Sequence, residues 1–478
     1  MKRFLSLLLV IILFSGCSSS QEIEEHPDPN QVVLRYYTIG REDQDLRMVN
    51  DQLNEILNSR YGFSVDYRKI DFNEYENVTN TIINTDQQFD VMFTWDSHYA
   101  RNAAQGVFLN LDPYLAEECC NLYHAVDPRL WQGVKVRGKI CGVPTNKELA
   151  PVVQFLFSEQ LVDKYNIRTA NFRTLQSLEP LLAMIKRDEP EVTPLVFTSD
   201  RVNLAELIGY EYVAGGNLPF AVKQGSKDCK VVNLYETEEM KDLMATLRHY
   251  YKTGYINDDA ALRTAVSHFP GENVFCRIGV GGPESAQSFS VDFGYPIVTK
   301  DASTPWVTNS SARGGIMAVN AKSTHVEEAL AFLTAVNLDP DVRNLLNYGV
   351  EGVHYNLTES GQIHLLSDGY RGIRYSQGNW FILKTMEGEE PDKWKNYSVY
   401  NQQAQSSRLL GFEPDLRKLE QESIQVSEVY LRYDNPLLTG SVDPQVYREK
   451  ALQQMNLCGA ETIQNELQKQ VNSWLGVS

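Results

Sequence analysis

From residue 32 onward the chain alternates short apolar runs with helical faces, and that order restricts the fold more than any other feature. Residues 32–37 read as a buried strand. Leu46, Val49, Leu53, Ile56 and Leu57 then recur at helical spacing, and Gly62 closes that face. Phe63, Val65 and Tyr67 alternate as a second strand, Tyr75, Val78 and Ile82 mark another helical face, and residues 90–94 form a third strand. Such an order implies a largely parallel sheet with helices on both sides. In open sheets of this kind ligands lie beyond the carboxyl ends of the strands, where the residues following Tyr36 and Thr94 point. Tyr37, Trp95 and Asp96 are therefore the first site candidates. An aromatic ring stacks on the apolar face of a sugar, and a carboxylate accepts hydrogen bonds from its hydroxyls. For Trp95, packing within the fold is the competing reading.

A chain of 478 residues with 42% hydrophobic and 10% aromatic content supports two or three packed units. Its formal net charge of -18 argues against a nucleic-acid partner, because phosphate binding needs a basic face. Lys2-Arg3, the apolar run over residues 5–14 and Ser15-Gly16-Cys17 compose an export signal. That run is too short to span a bilayer. The order resembles a lipoprotein signal, although Phe14 stands where leucine is usual, and the resemblance implies that Cys17 is lipidated. The polar stretch that follows, with Pro27 and Pro29, reads as a tether. Six further cysteines show no C-x-x-C spacing, so free thiols and disulfides both stay open. There is no H-E-x-x-H, no G-x-S-x-G and no G-x-x-x-x-G-K-[ST], and the histidines are scattered. Neither an enzyme nor a metal or other cofactor is expected. A glycosidase carboxylate pair is defined by separation in space, so that class stays open.

Further along, residues 134–140 read as a hairpin turning at Arg137-Gly138, with Trp131 before it as a core residue. Met240, Leu243, Met244, Leu247 and Tyr250 form one helical face, which explains the methionines as core. The apolar strand over residues 274–280 runs into Gly281-Gly282-Pro283-Glu284. Glycines let a ligand approach the backbone, and Pro283 suits the first turn of a helix. A tight strand-to-helix turn is the alternative. Thr324 and Glu327 have capping-box spacing. Asp339-Pro340 starts a helix that Gly349 stops, and Gly349 and Gly352 then bracket Glu351, a layout suited to a crossing between two bodies.

The segment Tyr348-Gly349-Val350-Glu351-Gly352-Val353-His354-Tyr355 resembles the "YG-x-EG-x-HY" motif of the extracellular solute-binding lipoproteins of bacterial carbohydrate ABC importers, in the subgroup with a C-terminal domain of unknown function. Residues 89–94, 134–144 and 378–394 carry the same resemblance. It implies an α/β, two-lobed periplasmic-binding-protein-like fold of type II, with an interlobe cleft, hinge crossings and a helical C-terminal extension. The expected organisation is a signal peptide at 1–16, a tether at 17–31, a first lobe at 32–145, a second at 146–300, a return to the first at 301–345, and completion of the second plus the extension at 346–478. The resemblance adds Glu284, Trp306, Glu351, Asn379 and Trp380 to the ligand-binding candidates. It implies a monomer, anchored through Cys17 to the outer face of the membrane, that captures a sugar and delivers it to a permease. A peptide or another small solute is the alternative cargo.

Overall fold

The computed structural model describes residues 31–85, 88–199, 204–263 and 273–477, Ser97 through its backbone alone; Cys17 and the export signal lie outside the described residues. β1 (Val33–Ile39), α1 (Leu46–Tyr61), β2 (Ser64–Ile70), α2 (Tyr75–Asn84) and β3 (Val91–Thr94) follow in the expected order. β1 pairs in parallel with both β2 and β3. α1 buries Val49, Leu53 and Leu57 and stops at Gly62, whose φ of 80° brings its N–H onto the carbonyls of Leu57 and Asn58. Beyond β3 the sheet ceases to be parallel. Ile316–Val319 runs antiparallel to β3, and Val143–Pro144 antiparallel to Ile316–Val319. The reason is the point of entry: Ile316 lies opposite Thr94, so the returning strand starts where β3 ends.

The second lobe is built on four strands in the order Ile297–Asp301, Val152–Ser158, Val274–Gly281, Thr193–Val196. Helix Glu238–Thr253 packs Met240, Leu243, Met244 and Leu247 against it and ends at Gly254, which makes the methionines core residues. Three C-terminal helices, Glu420–Leu438, Pro444–Leu457 and Ala460–Leu475, enter the same core through Tyr430, Met455, Ile463 and Leu467. Each such apolar side chain contributes on the order of 1.5–3 kcal/mol on burial. The first lobe has a core of its own, containing Tyr36, Val65, Val91, Leu333 and Leu346. The architecture is thus two-lobed α/β with a helical C-terminal extension on the second lobe.

The lobes are joined by the stretch after Val143–Pro144, by the stretch containing Trp306–Val307, and by the stretch from Ala404, in the first core, to Leu409, in the second. Trp306–Val307 and Gln405–Ser406 pair in parallel across two of these passages. Residues 345–357, expected to cross, instead stay on the first lobe. His354 meets Asp45 at 3.3 Å, Tyr370 shares a hydroxyl contact with Tyr67 at 3.3 Å, and Lys69 donates to the Arg371 carbonyl at 2.7 Å. Tyr348, Tyr355, Ile363 and Leu383 form a small separate core there, with Trp380 and Trp394 against it.

Two local expectations differ. Helix Val326–Leu338 begins after His325 without a side-chain cap, so Thr324 does not form the capping box. Pro283 lies before helix Ser285–Phe293 and not in its first turn, because Glu284 occupies the N-cap at a φ of 57°. The six cysteines among the described residues are free thiols; Cys120 and Cys458 are half-buried and the others buried. No helix among the described residues is long and apolar enough to cross a membrane, and no group of possible metal ligands occurs among them.

Candidate functional site

The first passage between the lobes is polar and held from both sides. Thr145 donates its N–H to Gly315 at 2.8 Å, Asn146 to Gly378 at 3.1 Å, and Trp380 donates back to Asn146 at 2.9 Å. Asn146 and Asn379 share a side-chain hydrogen bond, and Asn379 also donates to the Asn337 carbonyl and accepts from the Phe381 N–H. Both ends of the Asn379 amide are therefore committed to holding the passage, and its burial at 6% exposure agrees with that task.

Two opposite charges follow. Lys147 Nζ lies 2.7 Å from Glu148 Oε1, and both residues are buried. Glu148 Oε2 is buried and has no hydrogen-bond partner among the described residues. The backbone here is fixed by Asn401, which accepts from the Leu149 N–H and donates to the Lys147 carbonyl, each at 2.9 Å. Opposite stands the glycine turn of the second lobe. A Cβ on Gly282 would lie 3.4 Å from Glu148 Cγ and 3.5 Å from Tyr397 Cε1, so Gly282 keeps its backbone close to both. Glu284 turns its carboxylate to Asn396, which donates to it at 2.8 Å.

Helix Lys393–Gln403 closes this group with Trp394, Asn396 and Tyr397. The Trp380 ring lies 6.1 Å from Trp394 and 6.3 Å from Tyr397, with its indole N–H donated to the Arg374 carbonyl. Two cations sit over that ring, Arg374 at 5.3 Å and Lys147 at 5.9 Å. Burial, reinforced by the Glu148 carboxylate, pushes the Tyr397 phenol further up from its ordinary value, with Arg374 opposing. Burial and then Arg374 lower Lys393, while its ion pair with Glu389 opposes.

A second group forms at the carboxyl end of β3. Trp95 is the N-cap of α3 (Asp96–Ala104) and is half-buried among Tyr75 at 5.3 Å, Phe93 at 5.4 Å and His98 at 5.8 Å. His98 is held neutral, lowered to about 4 by burial and then by Arg101. Asp96 has a φ of 32° and donates its N–H to the Arg313 carbonyl at 2.9 Å. Burial raises its carboxyl, and Arg313 counteracts. Asp96 and Arg313 line a cavity of about 320 Å³ between α3 and the second lobe, which contributes Glu211, Tyr212 and Phe412. Arg313 spans it: it donates to the Gly133 and Lys135 carbonyls and pairs with Glu413 at 2.7 Å. Glu211 accepts from the Ser407 hydroxyl and is pushed up to about 7 by burial.

Of the residues singled out in the sequence, Glu284 and Trp380 belong to the first group, with Asn379 behind it as a structural brace, and Trp95 and Asp96 form the second. Tyr37 lies in neither: β1 continues to Ile39, so Tyr37 sits within the strand opposite Arg68 and Met92, 9% exposed in the core. The Trp306 ring rests on Gly225, where a Cβ would come within 3.1 Å of it. Glu351 is exposed on the turn that His354 pins to the first lobe. Lys147, Glu148, Arg374, Tyr397 and Arg313 did not stand out in the sequence. The Lys147-Glu148 pair is not set apart in the sequence, because the polar residues Thr145 and Asn146 precede it directly.

A two-lobed α/β body with three joining passages and polar groups gathered between the lobes is the architecture of the solute-binding proteins of ABC importers. Residues 408–476 match the family described as Domain of unknown function (DUF3502). The chain is 26% identical over 458 residues to the carbohydrate ABC transporter substrate-binding protein of Streptococcus pneumoniae serotype 4, covering 93% of this chain and 91% of that one. It superposes on the crystal structure of the N-glycan transport solute binding protein NgtS from Streptococcus pneumoniae with a TM-score of 0.85 at 25% identity, over 93% of this chain and 99% of that one. Against NgtS in complex with Man5GlcNAc the TM-score is 0.77 at 26% identity, over 93% and 99% of the two chains.

Proposed function

We propose that this protein binds a glycan between its lobes and delivers it to the permease of an ABC importer, from the outer face of a membrane to which a lipid on Cys17 anchors it. The observation that carries this reading is the likeness, over nearly the whole of both chains, to a protein whose complex with Man5GlcNAc is known. The site residues supporting it are Trp95, Asp96, Glu284 and Trp380, aromatic faces beside carboxylates, which is the chemistry that a ring bearing hydroxyls requires. Tyr37, Trp306, Asn379 and Glu351 have the packing, bracing or surface roles described above.

Binding acts by population shift: a ligand that touches both lobes favours the arrangement in which they are near. A thermal-shift comparison of Man5GlcNAc, its component sugars and short peptides tests the assignment. A glycan that binds the folded state at about 100 times its Kd stabilises it by about 2.7 kcal/mol. Stabilisation by a peptide and by none of the sugars would overturn the carbohydrate reading.

A further inference from the structure

We infer that Glu148 is a ligand-contacting residue that receives a hydrogen bond from a hydroxyl of an uncharged sugar ring through Oε2; this rests on the glycan reading above. The residue is 9% exposed, and Lys147 takes only Oε1. Its other oxygen is buried with no hydrogen-bond partner among the described residues. A carboxylate oxygen withdrawn from water and left without a donor is costly, so a native protein that keeps one has a use for it. The surroundings define that use. Gly282 and Tyr397 lie beside Glu148, the first bringing bare backbone and the second an aromatic edge. Asn401 fixes the backbone on either side, so the carboxylate is held in place before any ligand arrives.

Charge selects the class of donor. The Lys147–Glu148 pair is neutral as a unit, and Lys147 and Arg374 both lie over the neighbouring Trp380 ring. An ammonium ligand would face that pair of cations, whereas a hydroxyl needs an acceptor and no counter-charge. The half-buried Trp380 ring stands in the same group and supplies aromatic surface for the apolar face of that sugar.

Isothermal titration of the full-length protein with Man5GlcNAc tests the assignment. Glu148→Gln is expected to weaken binding by about 10- to 100-fold, the range for losing a hydrogen bond to a charged group. Because the substitution also removes the charge that pairs with buried Lys147, the unliganded unfolding midpoint is expected to fall, and affinity is compared at a temperature below the midpoint of each variant. Glu148→Asp keeps the charge but withdraws the oxygens by one methylene, and it should weaken binding in the same direction even if the glutamine variant folds poorly. Wild-type affinity retained within about twofold in both variants overturns the role of Glu148 and leaves the glycan reading intact. Failure of the wild type to bind Man5GlcNAc overturns both. A structure of the complex with Oε2 more than about 3.5 Å from every polar ligand atom overturns the contact alone.

Discussion

Glu211 has its protonation change placed near neutrality by the fold. Burial raises its carboxyl from an ordinary 4.5 to about 7, against the Ser407 hydroxyl bond that favours the charged form. The folded protein then holds a proton that the unfolded chain has released, so this residue makes stability fall as pH rises from about 4.5 to 7. The full effect, roughly 3 kcal/mol, is reached above that range. Glu211→Gln removes it: the unfolding midpoint should rise at pH 8 and match wild type at pH 4, read by thermal denaturation at both. His98 has the opposite slope, since its lowered value means the unfolded state takes up the extra proton as pH falls from 6.5 to about 4. At the same scale, Trp95→Ala exposes the Tyr75–Phe93 pair and removes an aromatic face from the proposed cleft. Glycan affinity should fall by at least about tenfold, equivalent to 1.4 kcal/mol, measured by titration. Unchanged affinity would make Trp95 a packing residue alone.

At the level of elements, the turn after helix Pro340–Tyr348 is the clearest case of sequence dictating structure. Asp339 caps the helix by accepting from the Asp341 and Val342 N–H groups, and Gly349 ends it at φ 80° and ψ -152°, a conformation nearly closed to other residues. A side chain there would also meet His354 Nδ1 at 2.6 Å, the atom that accepts from the Val350 N–H. Gly349→Ala should therefore cost roughly 2–4 kcal/mol in denaturant unfolding. Combined with His354→Ala, it should cost less than the sum of the two, because part of the clash has gone. The stop at Gly349, like those at Gly62 and Gly254, was legible because periodicity and a terminal glycine are local signals. The route taken afterwards was not. Residues 349–371 stay on the first lobe because Asp45, Tyr67 and Lys69 hold them, partners some 300 residues distant in sequence. Glu148 was illegible for the same reason: its unpaired oxygen is a property of what surrounds it, not of its neighbours in the chain. The placement of Trp95 and Asp96 just past β3 was legible because an apolar strand followed by a helical face is a local signal.

For the whole molecule, two separate cores joined by three passages predict rigid-body motion with little change inside either lobe. Saturation with Man5GlcNAc should reduce the radius of gyration in small-angle scattering while leaving the far-ultraviolet circular dichroism unchanged. An unchanged radius would place the glycan on one lobe. The arrangement of the thiols makes this motion accessible in another way. Cys120 belongs to a helix whose Leu122 enters the first core, and Cys458 packs at the edge of the second. The remaining thiols among the described residues are buried, so the accessible pair falls one to each moving part. A donor and an acceptor dye attached to those sulfurs would turn the protein, without any substitution, into its own optical gauge for glycan in solution.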